Sequence, residues 1–572
     1  TVLSAFTDDR TSEERSLLWK RHADFFNFIP KIALLSQTAE ANKTAYNSLL
    51  FSKGILLQAE TGLSELIKQS GNGQIKEDYG RLLEEKHLLN SLYQDNSMVV
   101  RSDIDSALFR IGRLERKLVA ESKEFGDYTA NLMIDWEDVR DALDGKDAAI
   151  EFCELEIEDG VNVYVALVLR KYSDAPELIP LFFESALGKI NRLYYSSPAL
   201  YDMLWKPLES VLDGVENVYF APAGELYNIA MESLPKNDSV MASDVWNLYR
   251  LSSTRQIAID KEEIKEEKAA VYGGLKYNIN ESSLIADSRR YVSTQRSQMD
   301  MESFLSDMKG LRNGVNDLPG TAVEAKEIDN SLKSAEIDTR IYVDTLGTEA
   351  SLKALSGKGV NILHIATHGF YWTEREASHM DFAGFLMRGD DRAAVEDKAL
   401  TRSGLLFAGA NNALQGKTLP DGVEDGILTA QEIASLDFNG LDLVVLSACQ
   451  TGLGEITGDG VFGLQRGFKK AGAGTLLMSL WKVDDDATRL LMPRFYHNLL
   501  SGMSKYESLK EAQRYVRDYA VTVEVKPDVR PAISAAAREE ARKRRQAEKE
   551  YKTVQKYRDP YYWAGFILLD AR

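Results

Sequence analysis

The 572-residue sequence has only two cysteines, Cys153 and Cys449. Two thiols can form at most one bridge, which excludes a disulfide scaffold. They also exclude a cysteine-rich zinc site, and a reducing, cytoplasmic compartment is the expected location. Histidine is scarce, with His22, His87, His364, His368, His379 and His497. There is no run of 18 or more apolar residues, so no membrane span is expected. The opening residues Thr1 to Asp9 have neither a basic stretch nor an apolar one, so no signal peptide is expected. They also lack an initiator Met, which points to a piece trimmed from a longer chain. An excess of positive charge is missing too: 69 Lys+Arg stand against 88 Asp+Glu, a net charge of −19. A protein that binds nucleic acid or anionic membrane through its overall charge would carry the opposite sign, although a local basic patch is compatible with these totals.

What is present is an ordinary globular composition, 44% hydrophobic, 9% aromatic and 27% charged. The length predicts three to five units at roughly 100–200 residues each. Residues 1–130 read as helices without an intervening Val/Ile-rich strand. Leu17, Leu18, Phe25, Phe26, Phe28 and Ile29 open the run. A long segment from Thr38 to Gln69 follows, then one carrying Leu82 to Leu92, then Ile104 to Phe125. Apolar stripes at helical spacing fit either a plain bundle or tetratricopeptide-like helical repeats, and no 34-residue period is demonstrable. Near Trp136 the texture changes. Ala148–Leu155 and Val161–Leu169 around Glu158, Asp159 and Gly160 predict a hairpin. A helical stretch is expected over Ile190–Leu212 and a strand over Asn217–Ala221, and the charge run at 261–268 reads as a linker or surface loop.

From about residue 269 strands and helices alternate. Strands are expected at Ala269–Gly273, Thr339–Val343, Val360–Ala366, Leu441–Ala448, Gly474–Leu480 and Tyr562–Leu569. Helices are expected at Thr321–Leu332, with Thr321 as cap and Glu324 three residues on, at Thr348–Ser356 and at Ala487–Leu500. This alternation predicts an α/β fold, a mostly parallel sheet flanked by helices. Insertions are expected near 278–317, 371–402 and 521–560. The last contains Ala535–Lys552, read as an exposed charged helix.

Two of these strands end in residues able to do chemistry. Asn361 to Gly369 contains His364 and His368; Leu443 to Gly454 contains Cys449. Ligands of open α/β sheets bind beyond the carboxyl ends of the strands. A thiolate is a strong nucleophile toward a carbonyl, and an imidazole can take its proton and later give it to the leaving amine. Backbone N–H groups of Gly369 and Cys449 could stabilise the oxyanion. Cys153 falls in mid-strand and reads as a core thiol. His364 and His368 have a His-x-x-x-His spacing but lie on a strand, without the Glu of His-Glu-x-x-His and without a third ligand, so no metal is expected and His364 reads as a structural hydrogen-bonder. No Gly-x-Gly-x-x-Gly or phosphate-loop pattern occurs, so no cofactor is expected.

His364-Ile-Ala-Thr-His368-Gly369, Leu446-Ser-Ala-Cys449-Gln-Thr-Gly452 and Gly458-Asp-Gly-Val-Phe-Gly463 resemble the CHAT family of caspase-like, separase-related domains often found behind tetratricopeptide repeats. Leu318-Pro-Gly-Thr321, Asp425-Gly-Ile-Leu-Thr-Ala430, Ser479-Leu-Trp481 and Tyr561-Tyr-Trp563-Ala-Gly-Phe566 agree, so the resemblance covers roughly 130–572. It implies a cysteine endopeptidase with His368 as base, Cys449 as nucleophile and Gly369 as oxyanion donor. It further implies that 131–268 is an inactive caspase-like half and 269–572 the active domain. The separation of His368 and Cys449 exceeds the roughly 50 residues of caspases, and Ser-Ala-Cys-Gln-Thr stands for their Gln-Ala-Cys-x-Gly, so strict Asp specificity does not carry over. Asp484, Asp485 and Asp486 are candidates for holding a basic P1 side chain. The same three would equally cap the following helix, and an apolar P1 stays open.

The resemblance also implies a protein substrate, a regulatory protein docking on the helical N-terminal region, and a bacterial defence or cell-death setting. The inserts at 278–317 and 371–402 are candidate gating loops or self-cleavage sites. Two rival expectations are a catalytically silent scaffold that signals by protein binding and another cysteine-dependent acyl transferase.

Overall fold

The computed structural model describes residues 10–94, 101–122, 129–158, 160–188, 192–259, 267–291, 314–372, 399–417, 419–420, 423–448, 451–457, 460–524 and 551–571. Among the described residues five helices come first: α1 (Ser12–Ser36), α2 (Ala39–Ser52), α3 (Ile55–Gln69), α4 (Gly73–Gln94) and α5 (Arg101–Ser122). Thr11 and Glu14 close a capping box at the start of α1, satisfying two of the N–H groups a helix start leaves open. α1 packs on α2, and α4 on α5. The single long segment expected from Thr38 to Gln69 is two helices. They break at Gly54, which sits at φ +70°, a conformation only glycine adopts without strain. The break turns Lys53 inward. Its Nζ lies 2.7 Å from Glu151 Oε2 and donates to the carbonyls of Phe152 and Ala221. The helical layer is thereby rooted in the sheet behind it.

That sheet follows helix α6 (Trp136–Ala142). It has five strands, β1 (Asp147–Glu158), β2 (Val161–Arg170), β3 (Glu177–Phe183), β4 (Asn217–Ala221) and β5 (Asn247–Arg250), in the order β3-β2-β1-β4-β5. β1 and β2 form the expected antiparallel hairpin, with Ala148 opposite Arg170, and β4 lies parallel to β1. The helix expected over Ile190–Leu212 is not continuous. Among its described residues are a 3-10 turn at Arg192–Tyr195, helix α7 (Ala199–Leu204) and another turn at Lys206–Leu208. Pro198 and Pro207 each stand where a new helical turn begins, because proline fits a first turn but breaks an interior.

The second sheet has six strands: β6 (Lys268–Leu275), β7 (Asp338–Asp344), β8 (Ile362–Ala366), β12 (Leu443–Ser447), β15 (Thr475–Ser479) and β18 (Phe566–Leu569), in the order β18-β15-β12-β8-β6-β7. All pairs are parallel except β15 with β18. The chain is therefore an α/β fold with a mostly parallel sheet, preceded by a helical segment. Between β6 and β8 lie α8 (Glu281–Arg290), α9 (Pro319–Ser334) and α10 (Glu349–Lys353). α8 occupies part of the stretch expected to be a loop at 278–317. Thr321 does not cap α9. Leu318 is the N-cap and Pro319 the first residue, the position that suits a residue lacking an N–H. Thr321 Oγ1 instead donates to the Leu318 carbonyl and accepts from the Gly274 N–H.

After β8 comes a small antiparallel sheet in the order β11-β10-β9, made of β9 (Gly369–Tyr371), β10 (Ser403–Leu406) and β11 (Ile427–Thr429), with α11 (Ala410–Leu414) and α12 (Ala430–Ile433). A hairpin, β13 (Gly454–Thr457) and β14 (Gly460–Gly463), leads into α13 (Leu464–Lys470). β15 is followed by α14 (Asp485–Leu500) and α15 (Lys505–Arg517), then by the pair β16 (Ala520–Glu524) and β17 (Tyr551–Gln555). Tyr551 and Lys552 are thus strand, where a helix was expected. The rest of that expected helix, 535–550, lies outside the described residues, as do 373–398 of the 371–402 insert.

Strands of a doubly covered sheet are apolar on both faces, and the residues sort accordingly. Tyr272, Leu363, Ile365, Val444, Leu446, Leu476 and Met478 face a core shared with Ile150, Phe152 and Val168 of the first sheet. Val271, Ile362, Val445 and Leu477 face Ile328 of α9 and Leu491 and Phe495 of α14. The two sheets meet edge to edge, where the Asp570 N–H donates to the Arg250 carbonyl beside β18 and β5.

Candidate active site

β8 and β12 are neighbouring parallel strands with Ala366 opposite Ser447. His368 and Cys449 each follow that pair by two positions in the sequence. Cys449 and Gln450 lie outside the described residues; Ala448 before them and Thr451 after them do not. Ser479, at the end of the next strand, ties both flanks. Its Oγ donates to the Ala448 carbonyl, its N–H to Thr451 Oγ1 at 3.0 Å, and its carbonyl accepts from the Gly452 N–H at 2.8 Å.

His368 is half-buried at the turn from β8 to β9. Its Nε2 is 2.9 Å from the carbonyl oxygen of Asn316. A carbonyl can only accept, so this nitrogen carries the proton and Nδ1 of the neutral ring is the acceptor. Tyr277 packs its ring 5.1 Å from the imidazole; its hydroxyl bonds Thr367 Oγ1 at 2.8 Å and accepts from the His368 backbone N–H. Burial holds the imidazole below its ordinary pKa, opposed by the Asn316 carbonyl and the charge of Asp485, with Lys482 adding to the lowering.

Gly369 opens β9, an edge strand. It pairs with Leu405, and the Leu406 N–H bonds the His368 carbonyl. In an antiparallel ladder that pattern makes Gly369–Leu405 a non-hydrogen-bonded pair, so the Gly369 N–H points away from β10.

The three aspartates separate. Asp484 is the N-cap of α14, accepting from the Ala487 N–H at 2.9 Å. Asp486 lies 3.6 Å from Lys556 Nζ. Asp485 is exposed and close enough to His368 to act on its charge. Beside them Trp481 is held between Tyr195 and Tyr561.

The other singled-out residues lie elsewhere. Cys153 is buried in β1, its thiol pushed up to about 12 by burial first, which suits a core residue rather than a nucleophile. His364 is fully buried on the other side of the sheet, its Nε2 3.1 Å from Glu324 and its Nδ1 3.4 Å from the Tyr496 hydroxyl. Among the described residues, Glu349, Glu424 and Glu432 bring carboxylate oxygens within 4.8 Å of one another, a spacing that suits a cation. The Lys353 ammonium is that cation, 2.6, 2.8 and 3.0 Å from the three in turn. Sequence reasoning missed Asn316 and Tyr277, and marked Ser479 only as part of the Ser479-Leu-Trp481 motif, without its role in holding the chain around Cys449. No motif marks a residue that contributes through its backbone carbonyl.

The CHAT domain model matches residues 196–571. Among curated proteins the chain is similar to Tetratricopeptide repeat protein 28 of Mus musculus, 38% identical over 91 residues, and of Homo sapiens, 34% identical over 109 residues. These stretches are 16% and 19% of this chain and 4% of each relative, so the chain spans only a small part of those proteins. Two structures of the Saccharomyces cerevisiae separase–securin complex align over 88% of this chain and 44% and 43% of theirs, at TM-scores of 0.36 and 0.35 and 9% identity.

Proposed function

The chain belongs to the CHAT domain family, and from that premise we propose that it is a cysteine endopeptidase acting through His368 and Cys449 on a protein substrate. The observation that carries this reading is the bond from His368 Nε2 to the Asn316 carbonyl. It leaves Nδ1 free to accept a proton on a ring whose pKa is held down, which suits a base working near neutral pH. The Cys449 thiol gives up its proton to Nδ1 and attacks the peptide carbonyl carbon. The oxygen becomes an oxyanion, for which the Gly369 N–H, unused by β10, is a donor along with that of Cys449. The imidazolium then protonates the leaving amine, and water completes hydrolysis of the thioester.

Asp485 is the residue of the acidic trio that would meet a basic P1 side chain, since Asp484 is engaged as a cap. Control by a partner on the helical segment forms part of this reading. α3 packs on α13, and Lys470 of α13 pairs with Glu60 at 3.1 Å; α13 follows the hairpin that comes after Cys449. The expected setting in bacterial defence or cell death rests on the resemblance alone.

The test is cleavage of a diverse peptide library by the wild type and by Cys449→Ala, with cut positions read by mass spectrometry. Cuts made only by the wild type are expected. No cuts, together with no labelling of Cys449 by a thiol-reactive probe at pH 6, would sink the proposal in favour of a silent scaffold.

A further inference from the structure

The Asn316 carbonyl stands on an exposed residue, yet the segment that carries it is firmly held. Asn411 of α11 is 2% exposed. Its Oδ1 accepts from the Val315 N–H at 2.7 Å and its Nδ2 donates to the Val315 carbonyl at 2.9 Å. Its own N–H donates to the carbonyl of Tyr277 at 3.1 Å, the residue whose ring packs on His368. Gly314 lies flat against the same amide: a Cβ there would come 2.7 Å from Asn411 Cγ. On the far side Asp317 accepts from Lys276 Nζ at 2.6 Å and from the Tyr277 N–H at 3.3 Å.

We propose that Asn411 is a positioning residue for His368: by clamping Val315 it holds the Asn316 carbonyl where His368 Nε2–H must donate to it. It thereby fixes which ring nitrogen is left to take a proton. The inference deepens the reading of His368 as a base and rests on it for its functional meaning. The residue type fits the task. Only a carboxamide offers a donor and an acceptor in one plane at this reach. A carboxylate of the same shape would keep the bond from the Val315 N–H and repel the Val315 carbonyl. Asn412, next on the helix, is also buried, but its side chain bonds the carbonyls of Ile279 and Gly409 and Lys417 Nζ. It therefore serves as a control for general damage to α11.

The test uses the full chain with 15N-labelled histidine. A hydrogen-bonded imidazole N–H exchanges slowly with water, so wild-type His368 is expected to give a protected Nε2–H proton signal, assigned by its loss in His368→Asn. Asn411→Ala and the isosteric Asn411→Asp should lose that signal, while Asn412→Ala keeps it and the buried His364 signals stay in place in all three. With a cleaved peptide in hand, Asn411→Ala should lower kcat about ten-fold with KM unchanged, the pattern of an interaction felt only in the transition state. Retention of the signal in both Asn411 variants, its loss in Asn412→Ala as well, or its absence from the wild type would overturn the clamp. A wild type that neither cuts peptides nor is labelled at Cys449, but whose signal still depends on Asn411, would retire the base reading and leave the clamp standing.

Discussion

Glu324 Oε1 lies 3.1 Å from Nε2 of His364, with both side chains almost wholly out of solvent. Glu324 sits in the first turns of α9 and His364 in β8, so the contact ties helix to sheet beneath the strand whose end carries His368. Tyr496 of α14 closes the group against the other ring nitrogen. Polar groups this deep cost free energy when unpaired.

Glu324→Ala should therefore lower stability by about 3 kcal/mol. The measurement is urea unfolding, with a lower midpoint and an unchanged slope. Zinc or EDTA should leave the wild-type melting temperature where it is. A fall with EDTA would instead assign a metal to His364.

Cys449→Ala and His368→Ala should each reduce kcat by at least about a thousand-fold. The double variant should be no worse than the weaker single one, because the two groups act as a unit. His368→Ala should move the melting temperature by no more than about 2 °C, since its half-buried ring stands at a turn and not in the core. Additive losses in the double variant would show that the residues do not act together. The activity that remains measurable in the wild type should rise with pH through a midpoint below the ordinary imidazole value, since burial lowers the His368 pKa and only the neutral ring can take a proton.

The regular part of the fold was legible in the sequence. Asn217–Ala221 is a strand in both readings, and β6, β8, β12 and β15 fall within two residues of their expected ends, because strands buried on both faces leave short, mostly apolar stretches between polar segments. Short or edge strands such as β9, β10 and β5 were not legible. They have three or four residues each and take their hydrogen bonds from chain far away in sequence. Thr321 and Glu324 looked like a capping box, but the spacing that closes such a box also places two residues on one helix face. Tertiary partners, the Gly274 N–H and His364, took both side chains. Of the candidate site, the positions of His368 and Gly369 at a strand end were readable, whereas their supports were not. Asn411 lies far along the chain from Val315 and belongs to no motif.

Asp484→Ala and Asp485→Asn should have different effects. Loss of the Asp484 cap should cost about 1 kcal/mol of stability and change substrate choice little. Asp485→Asn should lower kcat/KM about ten-fold for peptides with Arg or Lys at P1 and leave apolar P1 peptides nearly unchanged, with the difference shrinking at high salt. Its negative charge favours the imidazolium, so its removal should also move the acid limb of the pH profile to lower pH. An equal loss on all peptides would remove Asp485 from the P1 pocket and leave only its effect on His368.

Asp425 carries the clearest pH signature. It is buried beside Glu432 and Glu424, and burial first, then those charges, push its pKa up to about 7. Its Oδ1 accepts from the Ile427 N–H at 2.7 Å, which an asparagine could still do. In the unfolded chain the group ionises near the ordinary carboxylate value of about 3.9. Between that value and about 7 the folded state holds a proton that the unfolded state has lost, so this residue's contribution to stability falls as pH rises through that window. Above it the cost is complete. His87 works in the opposite sense. Burial, then Lys353, bring its imidazole down to about 4, so the unfolded state takes up the proton first as pH falls. That effect is common to the wild type and a variant at Asp425, and cancels in their difference. Asp425→Asn should therefore melt higher than the wild type at pH 8, by several degrees in calorimetry, and the gain should shrink steadily to nothing near pH 4. A gain independent of pH would mean that Asp425 does not titrate in this window, and a loss at pH 8 would mean that its ionised form is held by Lys353 as part of the cluster.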